Sequence, residues 1–377
     1  MLWDIFCRVI DNHGDLGVCW RLSADLAQRG YQVRLWVDDA SALEWMAPGA
    51  LQGIWPRVQV LAWERGSDVD AVRNLPCAEV WIEAFGCELP EPFIAHFANA
   101  LAAGHDKHQN SPTRHPRWIN LEYLSAEPYV ERSHALPSPV MHGPAKGWTK
   151  YFYYPGFTQG TGGLLREPDV SDAPLPAAVR TSFLQQHGIE DGHTFLVSLF
   201  CYEPALLGQL ITHLAAAGQA THLLVTQGRA HNAVRAVLGE ETRRGALQVT
   251  YLPLLSQPDF DVLLRSCDLN FVRGEDSVIR ALWAGKPFVW HIYQQDDGAH
   301  APKLQAFMQQ MQWSPAVQRL HLAWNGLLDD AQAAGALQVF QGGEFAQWQF
   351  QVTAARARQL EMSDLLTRLL QFVQKNR

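Results

Sequence analysis

Residues 11–18, Asp11-Asn12-His13-Gly14-Asp15-Leu16-Gly17-Val18, join a strand-like run to a helix-like one. Ahead of them, Leu2-Trp3-Asp4-Ile5-Phe6-Cys7-Arg8-Val9-Ile10 is rich in β-branched and aromatic residues. Behind them, Val18, Leu22 and Leu26 recur at helical spacing until Gly30. A strand that turns into a helix in this way is the opening βα step of an open α/β sheet, whose crevice collects ligands and reacting groups. Gly14 and Gly17 let backbone come close to a substrate. Asp11 and Asp15 bring negative charge that the turn does not need for its shape. Capping and surface exposure account for them equally well, but four-residue spacing across a glycine turn places both carboxylates toward one crevice. A carboxylate there is able to accept a proton from, or hydrogen-bond, an attacking nucleophile.

The same grammar continues outward from this turn. Tyr31 to Val37 alternates as a second strand, and Ser41-Ala42-Leu43-Glu44 has the form of a serine-capped helix start. Val58 to Leu61, Val80 to Phe85 and Trp118 to Glu122 read as strands, with a helix over Pro92 to Ala103. Strands interleaved with helices imply a mostly parallel sheet. From Pro137 to Pro176 prolines and glycines crowd together, which predicts an interdomain linker; Gly160-Thr161-Gly162-Gly163 reads as a flexible turn, and Tyr151 to Tyr154 as one strand. The second half repeats the pattern. Strands are predicted at Thr194 to Cys201, Thr221 to Thr226, Leu247 to Leu252, Asp268 to Val272 and Pro287 to Tyr293. The tail from Ala354 to Val373 reads as one long amphipathic helix. Two doubly wound α/β domains with a cleft between them is the architecture expected.

Composition bounds the function. At 377 residues, 47% hydrophobic and 18% charged, the chain reads as a soluble globular protein of two domains. A formal charge of −8 argues against a non-specific nucleic-acid binder and suits a basic protein partner or a small anion in a local positive pocket. Six scattered cysteines without a Cys-x-x-Cys point to reduced buried thiols and a cytoplasmic location. No signal peptide and no membrane-spanning run are evident.

The second site is Arg273-Gly274-Glu275-Asp276-Ser277, again at a strand's carboxyl end and opening a helix. Exposed N–H groups and the helix dipole form an anion site there, Arg273 adds a fork suited to phosphate oxygens, and Ser277 offers a hydroxyl. Glu275 and Asp276 suit a sugar hydroxyl or a cationic acceptor; plain helix capping explains them as readily. Phe200 and Tyr202 flank Cys201 on one face at a sheet edge, fit either to stack on a nucleobase or to fill the core. His105-Asp106-Lys107-His108 lies in a polar loop and reads as solvated, not as a metal site. There is no glycine-lysine phosphate loop, no dinucleotide Gly-x-Gly-x-x-Gly after a strand, and no Ser/His/Asp arrangement. Displacement at a nucleotide-activated donor is therefore preferred over hydrolysis.

These two motifs, with Ala284-Gly285-Lys286-Pro287-Phe288-Val289-Trp290-His291-Ile292-Tyr293, Pro155-Gly156-Phe157 and Thr161-Gly162-Gly163-Leu164-Leu165-Arg166-Glu167, closely resemble the bacterial EarP family of protein-arginine rhamnosyltransferases. The resemblance implies an α/β GT-B glycosyltransferase fold, two Rossmann-like domains facing across a cleft. Residues 1–165 with the C-terminal helix 352–377 would bind the acceptor, and 166–351 the nucleotide sugar. It implies inverting transfer of L-rhamnose from dTDP-β-L-rhamnose to the guanidino nitrogen of one arginine of elongation factor P, supporting translation of polyproline stretches. No metal or other cofactor would be required, and neither nucleic acid nor membrane is an expected partner. Asp15 would be the general base, Asp11 its partner orienting the guanidinium, and Glu275 the essential glutamate. Asn12, Gly14 and Gly17 would shape the acceptor turn. Phe200, Tyr202, Arg273, Asp276 and Ser277 would hold the donor, with Gln295 and Asp296 near the sugar hydroxyls. Leu254 stands where the family's pattern has phenylalanine. The rival readings are a GT-B transferase with a small-molecule or lipid acceptor, a non-catalytic nucleotide-sugar-binding protein, and a nucleotide-sugar epimerase.

Overall fold

Parallel strands require crossover connections, and the helical runs between the strands supply them. The computed structural model describes residues 1–10, 13–103, 115–168, 170, 173–190, 192 and 194–375. Asp11, Asn12 and the run His105 to His108 lie outside these residues. The chain forms two compact units, Met1–Val170 with Met362–Arg377, and Ser171–Glu361.

The first unit contains a seven-stranded sheet of β1 (Leu2–Cys7), β2 (Gln32–Val37), β3 (Val58–Ala62), β4 (Val80–Ala84), β5 (Arg117–Leu121), β6 (Pro137–Pro139) and β7 (Thr149–Tyr153). Their order is β3-β2-β1-β4-β5-β7-β6, and only β6 runs antiparallel. The order reverses between β1 and β4, so the connections leave a crevice at the carboxyl ends of those two strands. Helix Gly14–Gln28 packs Leu16, Cys19, Trp20, Leu22 and Leu26 into the core. The opposite side of the sheet is aromatic, with Phe6, Trp36, Trp81, Phe93 and Phe97 in one cluster.

Three local expectations change here. The proline-rich region adds one strand that was not expected, β6, paired with β7, which covers most of the strand expected over Tyr151 to Tyr154. Ser41 does not cap: the short helix Leu43–Met46 starts at Ala42 without a side-chain bond, and the Ser41 N–H is itself taken by Asp39 Oδ1. The glycine turn is packed, not flexible. A Cβ on Gly162 would lie 2.5 Å from the Tyr153 ring and 2.9 Å from the Tyr154 carbonyl, and Arg368 donates to the carbonyls of Gln159 and Thr161.

The second unit has β8 (Phe195–Leu199), β9 (Thr221–Val225), β10 (Arg243–Arg244), β11 (Leu247–Tyr251), β12 (Leu269–Arg273) and β13 (Phe288–His291). Their order is β10-β11-β9-β8-β12-β13, with only β10 antiparallel and the reversal between β8 and β12. The expected single tail helix is broken in two, Gly343–Leu360 and Leu365–Lys375. Asp364 accepts the Thr367 N–H at 2.8 Å, which caps a new helix and ends continuation of the old one. Leu365, Leu366, Leu369 and Val373 of the last helix are part of the first unit's core.

Candidate active site

Asp15 is the second residue of helix Gly14–Gln28, directly after β1 at the reversal point. It is neither a cap nor a surface acid: His13 takes the cap position, and Asp15 is only 7% exposed. Its Oδ2 accepts the Ile10 N–H at 3.2 Å, which anchors the carboxylate against the strand exit. The preceding backbone is tied in the same way, Val9 N–H donating to Asp38 Oδ1 at 3.0 Å. Gly14 is exposed and a Cβ there would meet nothing within 4 Å, so its own surroundings do not demand glycine. Gly17 is buried and closes the first helical turn through its N–H to the His13 carbonyl at 2.9 Å.

Neighbouring strand ends add residues that the sequence motifs did not single out. Phe85, just past β4, adopts a left-handed φ of 56° and stacks on Tyr123 beyond β5, with centroids 4.5 Å apart and planes at 17°. A non-glycine residue in that conformation is held there by its surroundings. Gly86 N–H donates to Asn120 Oδ1, and Asn120 Nδ2 donates to Glu122 Oε1 at 2.6 Å. Burial, and then the nearby Glu83, push the Glu122 carboxyl above its ordinary range. Glu122 and Phe85 were legible only as the last residues of predicted strands; their place at strand exits beside the reversal point was the available signal.

In the second unit, Phe200 and Tyr202 follow β8 and Arg273 ends β12, the two strands at its reversal point. The rings do not form a bare platform. The Arg273 guanidinium lies over both, 4.6 Å from the Phe200 centroid and 4.7 Å from that of Tyr202. Arg229 lies over Tyr202 as well, at 4.8 Å, and its Nε donates to Glu203 at 2.8 Å. His291, in register with Arg273 on β13, meets the Tyr202 ring at 5.1 Å. Burial drives the His291 imidazole down to about 3, so it is neutral at physiological pH.

The turn after Arg273 is built on Gly274, whose φ of 70° starts helix Glu275–Ala284. The Gly274 carbonyl accepts the Trp290 Nε1–H at 3.0 Å. Glu275 and Asp276 occupy the first helical turn and Ser277 is buried within it. Leu254 is 45% exposed, and Gln295 and Asp296 are exposed in the loop after β13. Among the described residues no group of three or more His, Cys, Asp or Glu is arranged to hold a metal ion.

Two doubly wound units in one chain, with the last helix returned to the first, give the chain the GT-B glycosyltransferase fold. Solved structures of that fold match along the whole chain, including Anabaena Alr3699/HepE in complex with UDP and glucose (TM-score 0.52, 12% identity, 100% of this chain and 99% of that one) and Acinetobacter baumannii MurG (0.51, 11%, 99% of each). The chain belongs to the Elongation-Factor P (EF-P) rhamnosyltransferase EarP family, whose model matches residues 3–374. The protein-arginine rhamnosyltransferase of Pseudomonas putida is 42% identical, and that of Pseudomonas aeruginosa 38%, each over 98% of both chains. The solved structure describing EarP-mediated arginine glycosylation of translation elongation factor EF-P matches at TM-score 0.61 and 31% identity, over 100% of this chain and 99% of that one. No helix among the described residues is long and apolar enough to cross a membrane.

Proposed function

We propose that this enzyme transfers L-rhamnose from dTDP-β-L-rhamnose to a guanidino nitrogen of one arginine of elongation factor P, with inversion at the anomeric carbon. The observation that carries this reading is membership of the EarP family over nearly the full chain. The geometry within each unit supports the division of labour. Asp15, fixed at the strand exit of the first unit, serves as the base; Asp11, four residues earlier in the sequence, is its partner in orienting the guanidinium. Asn12, Gly14 and Gly17 complete the acceptor motif. The Phe85–Tyr123 stack and Glu122 belong to the same strand-exit edge and suit a planar cation.

An arginine side chain, with a pKa above about 12, does not give up its proton to an isolated carboxylate. Paired acids localise its charge on one nitrogen instead, and the proton passes to Asp15 late, as the C–N bond forms. The bond between the anomeric carbon and the diphosphate oxygen breaks in the same step, and dTDP leaves with the electron pair. Arg273 and the first N–H groups of helix Glu275–Ala284 meet the developing charge, assisted by Ser277. Glu275 and Asp276 face the sugar or acceptor, with Gln295 and Asp296 at the sugar hydroxyls. Phe200 and Tyr202 act on the donor through Arg273, and Leu254 leaves the nucleobase without an aromatic partner at that position. The six free, buried cysteines support a cytoplasmic setting.

The test is direct. Purified protein, dTDP-β-L-rhamnose and elongation factor P are mixed, and intact mass is followed for addition of one deoxyhexose. Asp15→Asn is expected to abolish addition while dTDP binding is retained. A folded, dTDP-binding enzyme that adds no sugar to elongation factor P sinks the assignment.

A further inference from the structure

Glu275 creates a charge problem for the donor turn. It and Asp276 are the first two residues of their helix, so two carboxylates stand where the dipole would otherwise welcome a diphosphate. The Glu275 charge is answered from another element. Lys303, in helix His300–Met311, donates from Nζ to Glu275 Oε1 at 2.6 Å. Each side chain of the pair retains 19% exposure, so water and salt screen it less than an ion pair on open surface. The same turn is tied to β13 through Trp290 and the Gly274 carbonyl. The donor turn is thus fastened at two points to β13 and the helix after it, and the loop bearing Gln295 and Asp296 runs between those points.

We propose that Lys303 is a positioning residue of the donor site: it holds the Glu275 carboxylate in place and offsets its charge, so that the adjoining turn accepts a nucleoside diphosphate. This rests on the donor reading above. A purely structural ion pair of this kind contributes little to ligand affinity, whereas a compensating one acts on every anion brought to the turn.

The experiment is calorimetric titration of dTDP into the wild type, Lys303→Met, Lys303→Arg and the double variant Lys303→Met/Glu275→Gln, each checked for an unchanged thermal midpoint. Removal of the ammonium takes away a positive charge that faces the Glu275 carboxylate beside the ligand, and dTDP binding is expected to weaken about tenfold. Lys303→Arg retains most of the affinity. The double variant recovers it, because the carboxylate's negative charge is removed together with the ammonium. Wild-type affinity in Lys303→Met, or a double variant as weak as the single one, overturns the proposal. Should Lys303→Met fail to fold, Lys303→Gln makes the same comparison. A wild-type enzyme that binds no dTDP defeats the donor reading itself and this inference with it. Normal wild-type binding with an indifferent Lys303 variant removes Lys303 alone.

Discussion

Arg273 shows how a single side chain is held by two rings. Ring faces grip a guanidinium through its plane, whereas phosphate oxygens bind its N–H edge, so Phe200 and Tyr202 hold Arg273 without competing for the same atoms. A cation–π contact contributes about 0.5–2 kcal/mol. Tyr202→Leu removes one ring and is expected to weaken dTDP binding by roughly 2- to 30-fold, with a smaller effect on kcat. Titration of the variant checks this, and unchanged affinity would mean that the rings act independently of Arg273. Asp15→Asn belongs to the same scale, because the substitution keeps the shape of the side chain and removes its ability to take a proton.

At the scale of elements, the capped start of Leu365–Lys375 determines where the tail ends its first helix. Asp364 accepts the Thr367 N–H and pairs with Arg29 of the first unit, whose guanidinium also binds Asp25. Losing an N-cap costs about 0.5–2 kcal/mol. Asp364→Ala is therefore expected to lower the urea midpoint of the first unit by a corresponding amount, with donor affinity in the second unit unchanged. The glycine turn at 160–163 supplies a steric counterpart. Gly162→Ala forces a methyl into the Tyr153 ring, an overpacking that costs about 1–3 kcal/mol. A thermal midpoint equal to that of wild type would show that the ring yields without strain.

For the whole molecule, acid stability and charge are the relevant properties. Burial lowers His134 and His321 to about 4 and His291 to about 3. Their folded values lie below the unfolded one, near 6.5, so the neutral forms favour the native state. The stability they provide is complete above pH about 6.5 and is lost as pH falls toward 4 and then 3. Denaturant midpoints between pH 7 and 4 are expected to fall, and replacing His134 by Gln should flatten the decline. The net charge of −8 bears on encounter with a basic acceptor loop. Raised ionic strength is expected to increase the apparent KM for elongation factor P while leaving donor binding nearly constant; equal effects on both would refute steering.

The strand–glycine–helix turns and the parallel α/β class were legible in the sequence, because residue periodicity and turn chemistry follow from local backbone sterics. Asp15, Arg273 and Ser277 could be placed at strand exits on that basis alone. The rest depends on which strand exits are neighbours. The Phe85–Tyr123 stack, the seat of Arg273 on Phe200 and Tyr202, and the Lys303–Glu275 pair all join residues from different elements. No local pattern encodes such meetings, since strand order is set by long-range packing of the sheets. The break at Asp364 is similar: helical periodicity continues through it, and only the competing cap, the Arg29 pair and burial of Leu365 and Leu366 in the first unit's core stop the helix there.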